Sequence, residues 1–237
     1  MTDQAAAASE IRVRLEDVRD RIREAGGNPH EITIVAVTKG FGVDAVRAVE
    51  AAGLGDVGEN YAQDLLAKRA EGGATIRWHF IGPIQRNKVK SLAPVVDRWH
   101  TLDRLSAAQA VAAHAPGAQV MVQVNVTGEP TKSGCRLEDA GVLVEQLVGL
   151  GLQVRGLMTI GPLGPPEAAR SGFRAVAALN RRLGLPDLSM GMSDDLEIAV
   201  AEGATMLRIG RALLGSRPPR PRSSRSTSEP PGPATIG

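Results

Sequence analysis

The sequence predicts an α/β protein: a closed (β/α)8 TIM barrel with an extra N-terminal helix. Three observations carry the prediction. Eight short apolar runs recur over about 215 residues, helical patterns separate most of them, and an amphipathic stretch precedes the first. An open doubly wound sheet is the competing arrangement. It fits less well, because no glycine-rich dinucleotide fingerprint follows the first run.

The opening helix is read from Ile11, Leu15, Val18 and Ile22, spaced by four, three and four with Arg and Glu between them. Gly26-Gly27-Asn28-Pro29 ends it. Ile32 to Thr38 follows as a β-rich apolar run, and a helical stretch with Val43, Val46, Ala48 and Val49 closes at Gly53. Further strands are expected around Asp56-Val57-Gly58, Arg77 to Ile81, Arg98 to Leu102 and Val120 to Val126. Val154 to Met158, Leu188 to Met192 and Met206 to Ile209 complete the eight. Leu137 to Leu150 and Glu167 to Leu183 carry helical patterns between them.

Composition narrows the functional classes. With 237 residues, 43% hydrophobic and 23% charged, the chain has enough material for a sizeable core. Three Phe, two Trp and one Tyr leave that core to Ala, Val, Leu and Ile. A single cysteine, Cys135, excludes an intrachain disulfide and a multi-cysteine zinc site, and fits a reducing, cytoplasmic setting. No apolar run is long enough for a membrane span, and Ala5 to Ala8 is too short for a signal-peptide core.

The net charge of +2 is local, because residues 216–237 carry four Arg and one Glu. The rest is nearly neutral and offers no footprint for nucleic acid or an acidic membrane. Six of the fifteen prolines also lie in 216–237, with Ser and Arg around them. The expected organisation is a barrel over 1–215 and a disordered Ser/Pro/Arg-rich tail over 216–237.

Polar residues gather where strands end, the face on which barrels bind ligands. Lys39 closes an apolar strand, so burial of its stem should lower its amine pKa and favour the neutral form that attacks an aldehyde. A strand-end lysine that snorkels to water is the plainer reading. Arg208-Ile209-Gly210 ends the last strand, with Ser193 before it, in the region where barrels commonly seat a phosphate. Ser193 also reads as the N-cap of a helix opened by Asp194 and Asp195. Asn60, after the second strand, can bind a ligand or cap the next helix. His79 reads first as a satisfied core histidine, and Arg86, Lys88 and Lys90 as a solvated helix face. Asn125, Glu129, Lys132 and Gly134 form a fifth polar group, after a long strand.

Taken together, these stretches resemble the pyridoxal phosphate homeostasis protein family, single-barrel relatives of the N-terminal domain of alanine racemase. The resemblance lies in Val35-Ala36-Val37-Thr38-Lys39, Gly58-Glu59-Asn60-Tyr61-Ala62-Gln63 and Trp78 to Lys88. It continues through Asn125 to Gly134, Gly156-Leu157-Met158, Ser189 to Leu196 and Arg208-Ile209-Gly210, in family order over residues 10–215. It implies that Lys39 holds pyridoxal 5′-phosphate as an aldimine and that Ser193 and Gly210 contact the phosphate. It further implies that Arg208 faces the pyridine nitrogen and that Asn60 lines the cofactor.

A guanidinium opposite the ring nitrogen keeps that nitrogen unprotonated and weakens the ring as an electron sink. Two positions depart from the family pattern. Arg211 stands where Thr is frequent, so a hydroxyl to the phosphate is lost and its guanidinium is the candidate substitute. Thr38 stands where Ser is more usual.

The expected function is therefore intracellular pyridoxal phosphate homeostasis, as a reversible, non-catalytic and monomeric carrier that serves apo-enzymes. A weak amino-acid racemase is the alternative. It needs two bases on opposite faces of the substrate, and Tyr61 is the sole tyrosine, nothing foldable is expected after Gly215, and His79 is the conceivable second base. A barrel that binds some other phosphorylated metabolite without a covalent link is the third reading.

Overall fold

The structure, a computed structural model, describes residues 3–73, 75–129 and 132–217. The expected tail, apart from Ser216 and Arg217, lies outside the described residues. Eight parallel strands form a closed barrel in sequence order. They are β1 (Thr33–Val37), β2 (Asp56–Glu59), β3 (Arg77–Phe80), β4 (Arg98–Leu102), β5 (Gln119–Val124), β6 (Gln153–Thr159), β7 (Asp187–Ser189) and β8 (Met206–Ile209). The ring closes where β1 pairs with β8, Thr33 opposite Met206 and Ala36 opposite Ile209.

The extra helix is α1 (Asp3–Glu24). Ile11, Leu15, Val18 and Ile22 are all buried, as their spacing requires. Each contributes roughly 1.5–3 kcal/mol by leaving water. The barrel helices are α2 (Val43–Ala51), α3 (Ala62–Glu71), α4 (Arg86–Leu92), α5 (Leu105–His114), α6 (Ala140–Gly149), α7 (Arg170–Arg182), α8 (Leu196–Ala201) and α9 (Arg211–Leu214). Helix α1 packs against α2, α8 and α9, and so covers the seam where the ring closes. The first turns of the two long helical patterns wind as 3-10 turns, Leu137–Asp139 and Pro166–Ala169.

Strand alternation divides the interior into two cores. Outward-facing Trp78, Phe80 and Trp99 join the aliphatic core beneath the helices, with Phe80 and Trp99 edge-to-face at 5.8 Å. A second apolar cluster joins Val35, Met121, Met158 and Met206. The other buried strand residues include His79, His100, Ser189 and Arg208, so the barrel also encloses a polar column.

Candidate functional site

Lys39 sits on a tight turn just beyond β1. The Thr38 N–H still donates to Gly58 O at 3.1 Å, after which Phe41 N–H donates back to Thr38 O at 3.0 Å. Gly40, third in that turn, has φ +82°, a backbone region open to glycine and strained for other residues. The lysine therefore follows the strand and does not close it. The apolar run predicts the strand, but Gly40 bends the chain before Lys39 can join the ladder.

The turn is fixed from below. Lys68 Nζ donates to Thr38 O at 2.8 Å and also pairs with Glu59, while Thr38 Oγ1 donates to Glu59 Oε1 at 2.6 Å. All three side chains are buried. The sequence marks Glu59 only as part of the stretch from Gly58 to Gln63 and does not mark Lys68. The available signal was Lys68, three residues after the buried Leu65 and so on the apolar stripe of α3.

The Lys39 side chain is half-buried, and burial pulls its amine below the usual lysine range. The cations of Arg217 and Arg208 push the same way, and the Glu59 carboxylate opposes them. The environment therefore raises the fraction of uncharged amine, the nucleophilic form, above that of a free lysine.

Arg208, on β8, is buried. It donates to Ser189 Oγ at 2.7 Å and to Thr159 O at 2.8 Å, both neutral acceptors. Burial lowers its pKa to about 10, with Asp195 acting against that shift, so it is a cation at neutral pH. Asn60 follows β2 directly. It does not cap α3, whose N-cap position is Tyr61. Its Oδ1 is buried and has no partner among the described residues. An unpaired buried acceptor is costly, and a ligand donor would relieve it.

Ser193 corrects the expectation of an N-cap on the helix that follows it. Helix α8 starts only at Leu196, and Asp195 takes the N-cap position. The Ser193 hydroxyl instead accepts the N–H of Ala212 at 3.1 Å, capping α9 from another loop. With that acceptor role filled, its own proton is free to be donated to an anion. Gly210 is the N-cap residue of α9, so Ser193 and Gly210 meet at one helix start. Arg211 turns away to pair with Asp194, both side chains being largely exposed. The guanidinium expected as a substitute phosphate contact is engaged on the surface.

Lys39, Asn60, Ser193 and Gly210 thus follow β1, β2, β7 and β8, four consecutive strands of the ring, with Arg208 between them. The other candidates stand apart. His79 is 2% exposed and bonded to Asp56 and His100, which removes it from the mouth as a conceivable base. Asn125 organises its own loop through Thr127, Glu129 and Lys132. Arg86 and Lys90 are exposed on α4, and Lys88 is partly buried there. Burial, with the nearby Asp103 carboxylate, lifts the Cys135 thiol to about 12, well out of the reactive range. Among the described residues no group of three His, Cys, Asp or Glu is placed to hold a metal, and no helix is long and apolar enough to cross a membrane.

Comparison with known proteins bears on this arrangement. Residues 13–218 match the family model described as the N-terminal domain of alanine racemase. The chain is 45% identical over 225 residues to the pyridoxal phosphate homeostasis protein of Pseudomonas aeruginosa, covering 88% of this chain and 96% of that one. PipY of Synechococcus elongatus PCC7942, solved with PLP bound, superimposes with a TM-score of 0.76 at 32% identity, over 86% of this chain and all of that one. Alanine racemase of Clostridium difficile shares the fold alone. Its TM-score is 0.69 at 14% identity, over 86% of this chain and 56% of that chain.

Proposed function

The chain belongs to the alanine racemase N-terminal domain family and to the pyridoxal phosphate homeostasis proteins, and on that premise we propose that it holds pyridoxal 5′-phosphate reversibly on Lys39 and releases it unchanged. The observation that carries this reading is the half-buried Lys39 amine, whose pKa burial and two arginines lower, with an unpaired acceptor on Asn60 at the end of the neighbouring strand. Bound there, pyridoxal phosphate supplies an aldehyde that condenses with a neutral amine and a phosphate that needs anion donors.

This chain's residues fit both needs. Thr38, Glu59 and Lys68 hold the turn that aims Lys39. Ser193, with a proton to donate, and Gly210 at the start of α9 would hold the phosphate, and Asn60 Oδ1 would accept from the ligand. Arg208, a donor only, would face the ring nitrogen and leave it unprotonated, which supports binding without strong activation. Racemisation requires a second base opposite the lysine. His79 is locked inside the barrel and Tyr61 is half exposed on the rim. The carrier reading extends to a cytoplasmic monomer that delivers the cofactor to apo-enzymes.

Borohydride reduction of the loaded protein followed by peptide mapping tests the proposal. The expected result is one pyridoxyl group on Lys39 and none in Lys39→Ala. A protein that stays colourless and unlabelled, or label on another lysine, would overturn it. Exchange of the L-alanine α-proton in deuterated water should match that of free cofactor; faster exchange would establish an enzyme.

A further inference from the structure

A hydrogen-bonded chain crosses the barrel from its amino-terminal end to the candidate site. Asp56 and Arg77 open β2 and β3, and Arg77 makes two hydrogen bonds to the Asp56 carboxylate, at 2.8 and 2.5 Å. Asp56 Oδ1 lies 2.8 Å from His79 Nε2, and His79 Nδ1 lies 2.8 Å from His100 Nε2. His100 Nδ1 lies 3.2 Å from Ser189 Oγ, which accepts from Arg208 at 2.7 Å. His79, His100, Ser189 and Arg208 are all at most 4% exposed.

The two ends dictate the direction of every bond. Arg208 can only donate, so Ser189 Oγ accepts from it and sends its own proton to His100 Nδ1. Asp56 can only accept, because hydrogen bonds from His79 and Arg77 outweigh the effect of burial and hold its carboxyl at about 2. His79 therefore carries its proton on Nε2 and presents Nδ1 to His100, which must carry its proton on Nε2 as well. Burial lowers both pKa values below the ordinary histidine range, helped by Arg98, Arg77 and Arg208 and opposed at His79 by Asp56, so both rings are neutral at neutral pH. The reverse arrangement would set a bare His79 nitrogen against the carboxylate and aim two donors at Ser189.

We propose that Asp56 is a positioning residue for Arg208, acting through His79, His100 and Ser189 to hold the guanidinium in one orientation. The consequence for the cofactor rests on the function proposed above, but the chain itself does not. Arg208 has no carboxylate in direct contact: Asp195 acts on it from a distance, and the aligned chain adds Asp56 as a second remote anion and an electron-rich acceptor at Ser189.

The test begins with ligand-free protein. Long-range 1H–15N spectra at neutral pH should show His79 and His100 both neutral and protonated on Nε2; an Nδ1–H tautomer or a protonated ring at that pH would overturn the proposal. Exchange of the Arg208 guanidinium protons should accelerate about fivefold in Asp56→Asn, and by less than about 1.5-fold when the same change is made in Ser189→Ala. Equal effects in both backgrounds, or none in either, would reduce Asp56 to a local structural role. Arg77→Gln removes the outer ion pair alone and should leave the exchange unchanged; acceleration equal to that in Asp56→Asn would assign the effect to that pair. The same cycle on pyridoxal phosphate affinity should follow the exchange data. A native protein that binds no cofactor but shows the exchange coupling would defeat the functional reading and leave the chain standing.

Discussion

The Nζ of Lys68 donates a 2.8 Å hydrogen bond to the carbonyl oxygen of Thr38, whose peptide leads directly into Lys39. A charge buried on α3 thereby fixes the backbone of the turn that presents the candidate nucleophile. Glu59 is the matching anion, and it also accepts the Thr38 hydroxyl.

Removing one member of this pair strands the other. Lys68→Met leaves the Glu59 carboxylate buried without a cation, at a cost of about 3–5 kcal/mol in urea unfolding. Lys68→Met combined with Glu59→Gln should recover most of that loss. A single substitution that leaves the unfolding midpoint unchanged would mean that the pair does not brace the turn.

Arg217 packs over Gly40, where an added Cβ would lie 3.1 Å from Arg217 Cδ, and its charge favours the neutral Lys39 amine. Arg217→Ala should raise the lysine pKa and reduce the neutral fraction at neutral pH. Pyridoxal phosphate attachment should then slow a few-fold near pH 7, with the difference vanishing at pH well above the amine's pKa. A pH-independent slowing would point to lost packing.

The buried histidines make stability depend on pH. His79 and His100 have depressed pKa values in the fold, foremost from burial. Below their ordinary value near 6.5 the unfolded chain binds protons that the fold refuses, so stability falls as pH falls. The slope approaches about 1.4 kcal/mol per pH unit for each ring. Urea midpoints should drop between about pH 7 and pH 5, less steeply in His100→Asn. A flat profile would contradict neutral buried rings. Asp56 adds stability that is lost only as pH falls toward about 2.

Gly82 leaves no room for a side chain. A Cβ there would lie 1.8 Å from the backbone oxygen of Asn60 and 2.6 Å from its carbonyl carbon. Gly82→Ala must displace the Asn60 backbone, with an expected loss of about 3 kcal/mol and weaker cofactor binding. Native stability in that variant would show that the loop yields without strain.

Much of the architecture was legible because its signals are local. Alternation and 3.6-residue spacing depend on near neighbours, and they placed all eight strands and α1. Lys39 and Asn60 were legible as polar residues at the ends of apolar runs, and Gly40 shifted the strand end by only two positions. Ser193 was legible as a capping residue, but the helix it caps was not. Its true partner, the Ala212 N–H, lies 19 residues on and becomes a neighbour only when β7 and β8 pair.

The sequence by itself determined the barrel, the covering N-terminal helix and the strand ends that carry the candidate site, because hydrophobic period and glycine punctuation act within a few residues. The tertiary structure alone decided how the buried polar groups pair. His79 on its own reads as a satisfied core histidine whose partners the sequence does not name. Its placement between Asp56 and His100, and the step from His100 to Ser189 across 89 residues, exist only once the ring closes. Closure excludes water from the interior, and each enclosed donor must then find an acceptor on whichever strand the barrel has brought opposite it.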